Sequence, residues 1–568
     1  MSLKRKVLLG IAAAGVLAAQ ASAATINIYD DSIQAGQTKT WSASNKYILH
    51  GKVCVESGAT LNIPAGTMVL GELGTGTSVS MLVICRGGRI YAQGTASNPV
   101  VFTTVADTMG MPLPISNLTR GLWGGLIILG RAHVNEAGGV GIYPDITIPA
   151  TDTAKYRYGD STSANDHDTS GVLHYVSIRF AGASDVSTIK GFSMEAVGDG
   201  TMVDHVENFE CGDDGVNLLG GAVNIKYLAS AFNAGDAVYY DEGYRGKMQF
   251  VFAIQDTISG GSSNGCMSKI ETNATKVPNS NAYSAPFTFG QVYNATYIGT
   301  GVNNKDTWKY KYGIYYKKGG AGKFINSILT QCYNYGVYIE DLGAADTLQG
   351  TNCRARFNED SLVITNNIFY GFGKGNTIDS VTKGMPWLGS YIDSTPNQND
   401  LTDPQMGGFG WGRDGLLDPR PSASGIAIQH VATVPNDGFF TQVNYRGAFD
   451  PTTYLWTTGW TELATTGFFK TAAVSVKSDN TSSVATASNL QIIGKGTLCQ
   501  IIWNQERAGI ASVTLFATNG KELRQYGVTN QTAGSHTLSI SMKEIPAGLY
   551  AVQVKAAGKV QSLLICKQ

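Results

Sequence analysis

Five carboxylates crowd the stretch 213–242: Asp213, Asp214, Asp236, Asp241 and Glu242. Carboxyl groups set across a glycosidic bond, one protonated and one ionised, hydrolyse it; Asp213, Asp214 and Asp236 are the catalytic candidates on that reading. Gathered around a hard cation, the same side chains offer the oxygen donors that Ca²⁺ takes, so all five are metal candidates. The plainer alternative is a solvated acidic turn, because Asp-Gly pairs favour turn geometry. A second group, Asp160, Asp166 and Asp168, lies in a polar loop and also suits Ca²⁺, although without the spacing of an EF-hand. Polysaccharide cleavage by elimination needs a base instead, for which Arg245 or Lys247 is nearest. Tyr239, Tyr240 and Tyr244, followed by Tyr310, Tyr312, Tyr315 and Tyr316, offer flat faces that stack on sugar rings; alternatively they fill a strand core. No nucleophile elbow, phosphate loop or dinucleotide fingerprint occurs in a context that gives it meaning. His174 and His205 sit in strand-like runs and read as packed or solvent-facing. Binding without turnover is therefore the preferred class, with a polysaccharide hydrolase or lyase as the enzymatic alternative. Ca²⁺ is the cofactor these residues suggest.

These residues are positioned by a repeat. Thr201–Val206 and Asp214–Leu218 recur twenty-two positions later as Val223–Leu228 and Asp236–Tyr240. An alternating apolar run, an acidic turn and a second apolar run at one fixed period mean stacked units that cannot bury their apolar faces alone. This is the length of one turn of a parallel β-helix, and the register places Asp214 over Asp236 at about 4.8 Å. The same register sets Asp204 over Lys226 as a cross-strand ion pair. Gly313–Tyr316 and Gly336–Ile339 repeat at 23, and Phe324–Leu329 is echoed by Ile364–Phe369, with asparagines suited to amide bonding along the axis. The glycine-bounded run Gly121–Gly130 reads as a strand buried on both faces.

Composition narrows the class. Charged residues are only 15% and the formal net charge is −1, with no basic block; nucleic acid, bound through clustered Lys and Arg, is excluded as a partner. Lys4-Arg5-Lys6, the apolar run Val7–Ala19 and the small residues Ala21-Ser22-Ala23 form an export signal. No later run reaches the length of a membrane-spanning helix, so a secreted, outer-surface or extracellular protein is expected. All eight cysteines follow the signal. An oxidising compartment permits disulfides, for which Cys499 with Cys566 is the first choice and Cys332 with Cys353 the second. No CxxC or His-Cys spacing suggests zinc.

The fold expected is all-β: a right-handed parallel β-helix followed by a small C-terminal β-sandwich. Residues 1–23 are the signal, 24–45 a lead-in, 46–372 the β-helix, 373–474 a loop-rich extension packed on it, 475–489 a Ser/Thr/Ala-rich linker and 490–568 the sandwich. Uncapped β-helix ends leave self-association open.

Two resemblances follow from particular residues. Val513-Thr514-Leu515-Phe516, Asn519-Gly520-Lys521, Ile545–Tyr550 and the final strand Ser562–Ile565 resemble the sorting domain of type IX secretion cargo from Bacteroidetes and related phyla. That resemblance implies the type IX machinery as a partner and passage through the outer membrane. Gly121–Gly125, Gly243–Lys247, Leu417–Pro421 and Asn444–Phe449 resemble exported β-helix proteins of the same bacteria; this implies fold and location and no particular chemistry. The function expected is a cell-surface structural or adhesive β-helix that binds carbohydrate.

Overall fold

The repeat is a rung. Met202 pairs with Asn224 and Val216 with Val238, in parallel strands. The computed structural model describes residues 24–470 except 31, 108–112, 114–118, 256–266, 273–284, 305–311 and 344–352, and residues 474–567 except 477–482, 488–489, 496–497, 506, 518–521, 547 and 558. The export signal, Cys266, Tyr310 and the Asn519-Gly520-Lys521 match lie outside the described residues. The chain divides at Phe468/Phe469 into two units.

The first unit is the parallel β-helix, with a sixteen-stranded and a nine-stranded sheet. Coiling starts earlier than residue 46: Thr25–Ile28 already pairs with Lys46–Leu49 in parallel, so the expected lead-in is the first rung. In the smaller sheet, alternate residues turn inward and outward as the pleat requires. Phe192, Val216, Leu218, Val238, Tyr240, Ile314 and Tyr316 line the interior. Gly125–Leu129 is buried throughout, as the glycine-bounded run requires. Leu126 and Ile128 face the coil interior, whereas Ile127 and Leu129 join an outer cluster with Val134, Tyr143, Tyr156 and Tyr158. The stretch read as a polar loop at 150–170 thus belongs to an excursion that covers this sheet, braced by the antiparallel pair Val140–Ile142 and Arg157–Gly159.

Each long strand of the larger sheet bends once, giving the coil three faces. Tyr175, His205, Tyr227 and Phe250 hold the bends at φ of 49°, 53°, 59° and 59°. A side chain in the left-handed region costs roughly 1–3 kcal/mol. Stacking offsets this: the ring centroids of Tyr175–His205, His205–Tyr227 and Tyr227–Phe250 lie 4.2, 4.3 and 4.9 Å apart, with the rings nearly parallel. Asn294, Asn326 and Asn366 hold the same bend on later rungs. Their amide nitrogens donate outward to the backbone oxygens of Tyr445, Ala432 and His430, while Asn294 Oδ1 accepts from Gln249 on the preceding rung at 3.1 Å. Asn367, in the Ile364–Phe369 run, links rungs as expected, accepting from the Ser327 amide and donating to Asn399.

The short helix Pro386–Ile392 places Leu388 and Ile392 on the end of the core. Residues 393–468 then return along the larger sheet. Gln249 exchanges two hydrogen bonds with Thr441, both 2.8 Å. The Glu207 carboxylate accepts from the Glu462 and Leu463 amides at 2.7 and 3.2 Å. Trp460 is fully buried against Tyr175 and His205.

The second unit contains a five-stranded and a four-stranded sheet, sharing a core of Leu490, Ile501, Val513, Leu515, Val552 and Ile565. Val474–Val476 and Ser483–Ala487 are strands of these sheets, so the span read as a linker carries structure. The expected disulfides need correction. Cys332, Cys353 and Cys499 are free, buried thiols, filling apolar cores as small hydrophobes; the Cys566 side chain lies outside the described residues. Among the described residues no helix is long and apolar enough to cross a membrane.

Candidate functional site

The acidic stretch occupies the outer face of the nine-stranded sheet and the turns leading into it. Asp213 and Asp214 precede Val216–Leu219, Asp236 precedes Val238–Asp241, and the pairing puts Asp214 over Asp236. Stacked carboxylates repel, and the chain relieves this with its own donors. The Asp236 amide donates to Asp214 at 2.6 Å. Lys269 reaches Asp236 at 2.8 Å, and Lys190 lies 3.5 Å from Asp213 and 3.2 Å from Asp145. Although burial opposes it, the surrounding carboxylates hold both ammonium groups well above their ordinary pKa. Two lysines thus stand where the sequence suggested Ca²⁺. Burial, then the Asp214 charge, pushes the Asp213 carboxyl up to about 7, against the pull of Lys190.

One rung position further on, the acids go underground. Asp241 accepts from Tyr239 Oη at 2.7 Å and from the Glu242 amide at 2.6 Å, and Glu242 accepts from Tyr158 Oη at 2.8 Å. Glu195 accepts from Asn217 Nδ2 at 2.9 Å, while its Oε2 has no partner. Burial drives both glutamates well above the carboxylate range, Asp241 adding to it at Glu242 and Glu242 at Glu195. Burial therefore favours the protonated form of both.

Outward residues also align in one row: Asn217, Tyr239, Lys269, Tyr315 and Tyr338 face each other in register. Lys269 lies over the Tyr239 ring at 4.4 Å. Tyr338 stacks on Tyr312 at 4.7 Å, with Lys383 over its ring at 4.6 Å. Tyr315 and Tyr338 are half-buried and keep contact with solvent. Of the tyrosines proposed for stacking, Tyr239 and Tyr315 face outward, whereas Tyr316 is fully buried in the core. Tyr240 and Tyr244 require correction: both are fully buried in the coil's core, Tyr240 because the pleat turns it inward and Tyr244 because its hydroxyl donates to Val223 O beneath the turn.

Asp160, Asp166 and Asp168 point to different partners. Asp160 accepts from Thr162 and Ser163, Asp166 from His133 and Arg245, and Asp168 from the Arg131 amide. They staple the covering excursion down. Arg245 is committed to Asp166 at 2.6 Å and Lys247 to Asp437 at 2.7 Å. Among the described residues, the group of His, Cys, Asp and Glu whose ligand atoms converge is His174, Asp204 and His205, on another face. The 22-residue repeat did not carry this signal: it relates Asp204 to Lys226, whereas His174 meets Asp204 across a longer turn of the coil. The Asp204–Lys226 register is as read, but Lys226 donates to Phe439 O and Thr441 Oγ1, and Asp204 pairs with the histidines.

A family model described as a pectate-lyase-like β-helix domain matches residues 33–387. Among solved structures, the Dettilon tailspike protein is 8% identical over 93% of this chain and 84% of its own, with a TM-score of 0.19. A tailspike protein from the Acinetobacter baumannii bacteriophage Fri1, described as a capsular polysaccharide depolymerase, is 7% identical over 95% and 79%, with a TM-score of 0.16. Likenesses at these scores carry no argument. No curated protein matches.

Proposed function

The chain belongs to the pectate-lyase-like β-helix domain family, and from that premise we propose that it is an exported surface protein that binds polysaccharide along the outer face of its nine-stranded sheet. The observation carrying this reading is the registered row Tyr239, Lys269, Tyr315 and Tyr338. Rungs repeat at about 4.8 Å, so the row offers phenol edges and an ammonium at regular intervals to an extended chain. Aromatic contacts contribute about 1 kcal/mol each. The double variant Tyr315→Ala/Tyr338→Ala therefore weakens binding roughly thirtyfold, measured by affinity electrophoresis in neutral and acidic polysaccharides. Retention of full binding by that variant, with an unchanged fold, removes the row from the reading. Export through the type IX pathway is part of the proposal: removal of residues 490–568 then leaves the protein in the periplasm, and normal surface display without them refutes it.

One observation favours a second, catalytic reading. Burial and the Asp214 charge push the Asp213 carboxyl up to about 7 beside Asp214 and Asp236, in the range that suits a general acid at neutral pH. New reducing ends or unsaturated sugars from a glycan panel, lost in Asp213→Asn, support it; an inert panel sinks it. Self-assembly of coils is tested by sedimentation, where a concentration-independent monomer refutes it.

A further inference from the structure

On a different face from the carbohydrate row, His174, Asp204 and His205 form a compact cluster. His174 lies on Gly171–Arg179; Asp204 and His205 lie on Met202–Phe209, and the pairing puts His174 directly beside Asp204. The ligand atoms of the three all fall within 4.8 Å of one another. His174 Nδ1 is 3.3 Å from Asp204 Oδ1, and the same oxygen contacts His205 Nδ1. All three side chains are partly exposed.

We propose that this cluster binds a divalent transition-metal ion, with two imidazole nitrogens and one carboxylate oxygen as its protein ligands. The donor set decides the class. Ca²⁺ and Mg²⁺ take oxygen, whereas two imidazoles with a carboxylate suit Zn²⁺, Ni²⁺ or Cu²⁺. Bonds of about 2.0–2.1 Å in a tetrahedron put neighbouring ligands roughly 3.3 Å apart, which is the His174–Asp204 separation. Three protein ligands on an open face leave the remaining position to water.

The cluster is also held in place. The His205 ring is clamped between Tyr175 and Tyr227, and Trp460 and Trp456 meet it edge-on at 5.9 and 6.2 Å. His174 meets the Tyr175 ring edge-on at 4.6 Å. Ligand orientation is thereby fixed by packing, the role that outer partners fill around metal-binding histidines. In the outward row, Gln93 flanks His174 and Lys226 flanks Asp204. The lysine ammonium is drawn to the returning segment at Phe439 and Thr441, so it does not occupy the cluster.

The test uses the full chain titrated with Zn²⁺ against a chromophoric chelator at pH 7.5, with the Co²⁺ absorption spectrum and Cu²⁺ quenching of tryptophan fluorescence as second readouts. One equivalent is expected per chain, with an oxygen/nitrogen Co²⁺ spectrum and quenching through Trp456 and Trp460. Losing even an outer partner costs 10–100-fold in affinity, so His174→Ala and Asp204→Asn each weaken Zn²⁺ by at least about tenfold. Asp204→Asn preserves shape and serves if His174→Ala fails to fold. No uptake by the full chain, undiminished uptake in Asp204→Asn, or sulfur-to-cobalt bands that assign the ion to cysteine would overturn the proposal.

Discussion

Glu195 is the position where burial, protonation and the Ca²⁺ expectation meet in one measurement. It is fully buried on the outer side of the smaller sheet, bonded to Asn217 through Oε1 and without a partner at Oε2. Burial, reinforced by Glu242 and Asp145, holds its carboxyl well above the ordinary 4.5. A group whose folded pKa is raised contributes its full stability below the unfolded value and loses it as pH rises toward the folded one. Each pH unit in that window costs folding about 1.4 kcal/mol. Gln has the shape of the protonated acid, keeps an oxygen for Asn217 and does not titrate. Glu195→Gln is therefore within about 1 kcal/mol of the wild type at pH 4.5 and increasingly more stable than it as the pH rises. Urea unfolding of both proteins at half-unit steps from pH 4.5 to 8 measures the difference, which should climb with pH by at most about 1.4 kcal/mol per unit. Parallel curves, or a variant that is less stable at pH 8, would falsify the argument. Either result makes Glu195 an anion in the fold, and an anion there needs a cation beside Asp241 and Glu242. Repeating the series with chelator then separates a bound metal from internal compensation.

Two further outcomes test the packing. Trp460→Ala removes the largest fully buried side chain of residues 393–468 and should cost about 3–5 kcal/mol, with faster proteolysis of that segment than of the rungs; a loss below about 1 kcal/mol would detach this tryptophan from any docking role. The buried thiols Cys54, Cys85, Cys211, Cys332, Cys353 and Cys499 should resist alkylation in the native protein and react once it is unfolded in urea. Burial raises the Cys332 and Cys211 thiols to about 12 and Cys499 to about 11, which suppresses the reactive thiolate; rapid native labelling at any of the six would contradict the core assignment.

What could be read in advance differs sharply between scaffold and site. The period at 202–240 gave the rungs and their alignment, because a coil pairs residue i with the same position one turn later and spacing alone carries the register. Inside and outside were less legible. Tyr239 and Tyr240 are adjacent and chemically alike, and only the pleat sends one to the surface and the other to the core. Cysteine pairing failed for a related reason: an even count allows disulfides, but it does not say which thiols meet.

Sequence by itself determined the solenoid, the buried strand at Gly125–Leu129 and the stacking of Asp214 over Asp236, since each depends on short-range alternation and one fixed translation. Tertiary structure decided what those residues are. The excursion at 131–170 closes over one face and turns Glu195 and Glu242 from exposed anions into buried acids, while Lys190 and Lys269 arrive at the aspartates from other rungs. Residues 393–468 return along another face and set Trp456 and Trp460 against His205, beside Asp204 and His174. Both decisions come from chain segments far apart in sequence, and desolvation, which sets the charge of every group concerned, depends on what covers a residue rather than on what precedes it.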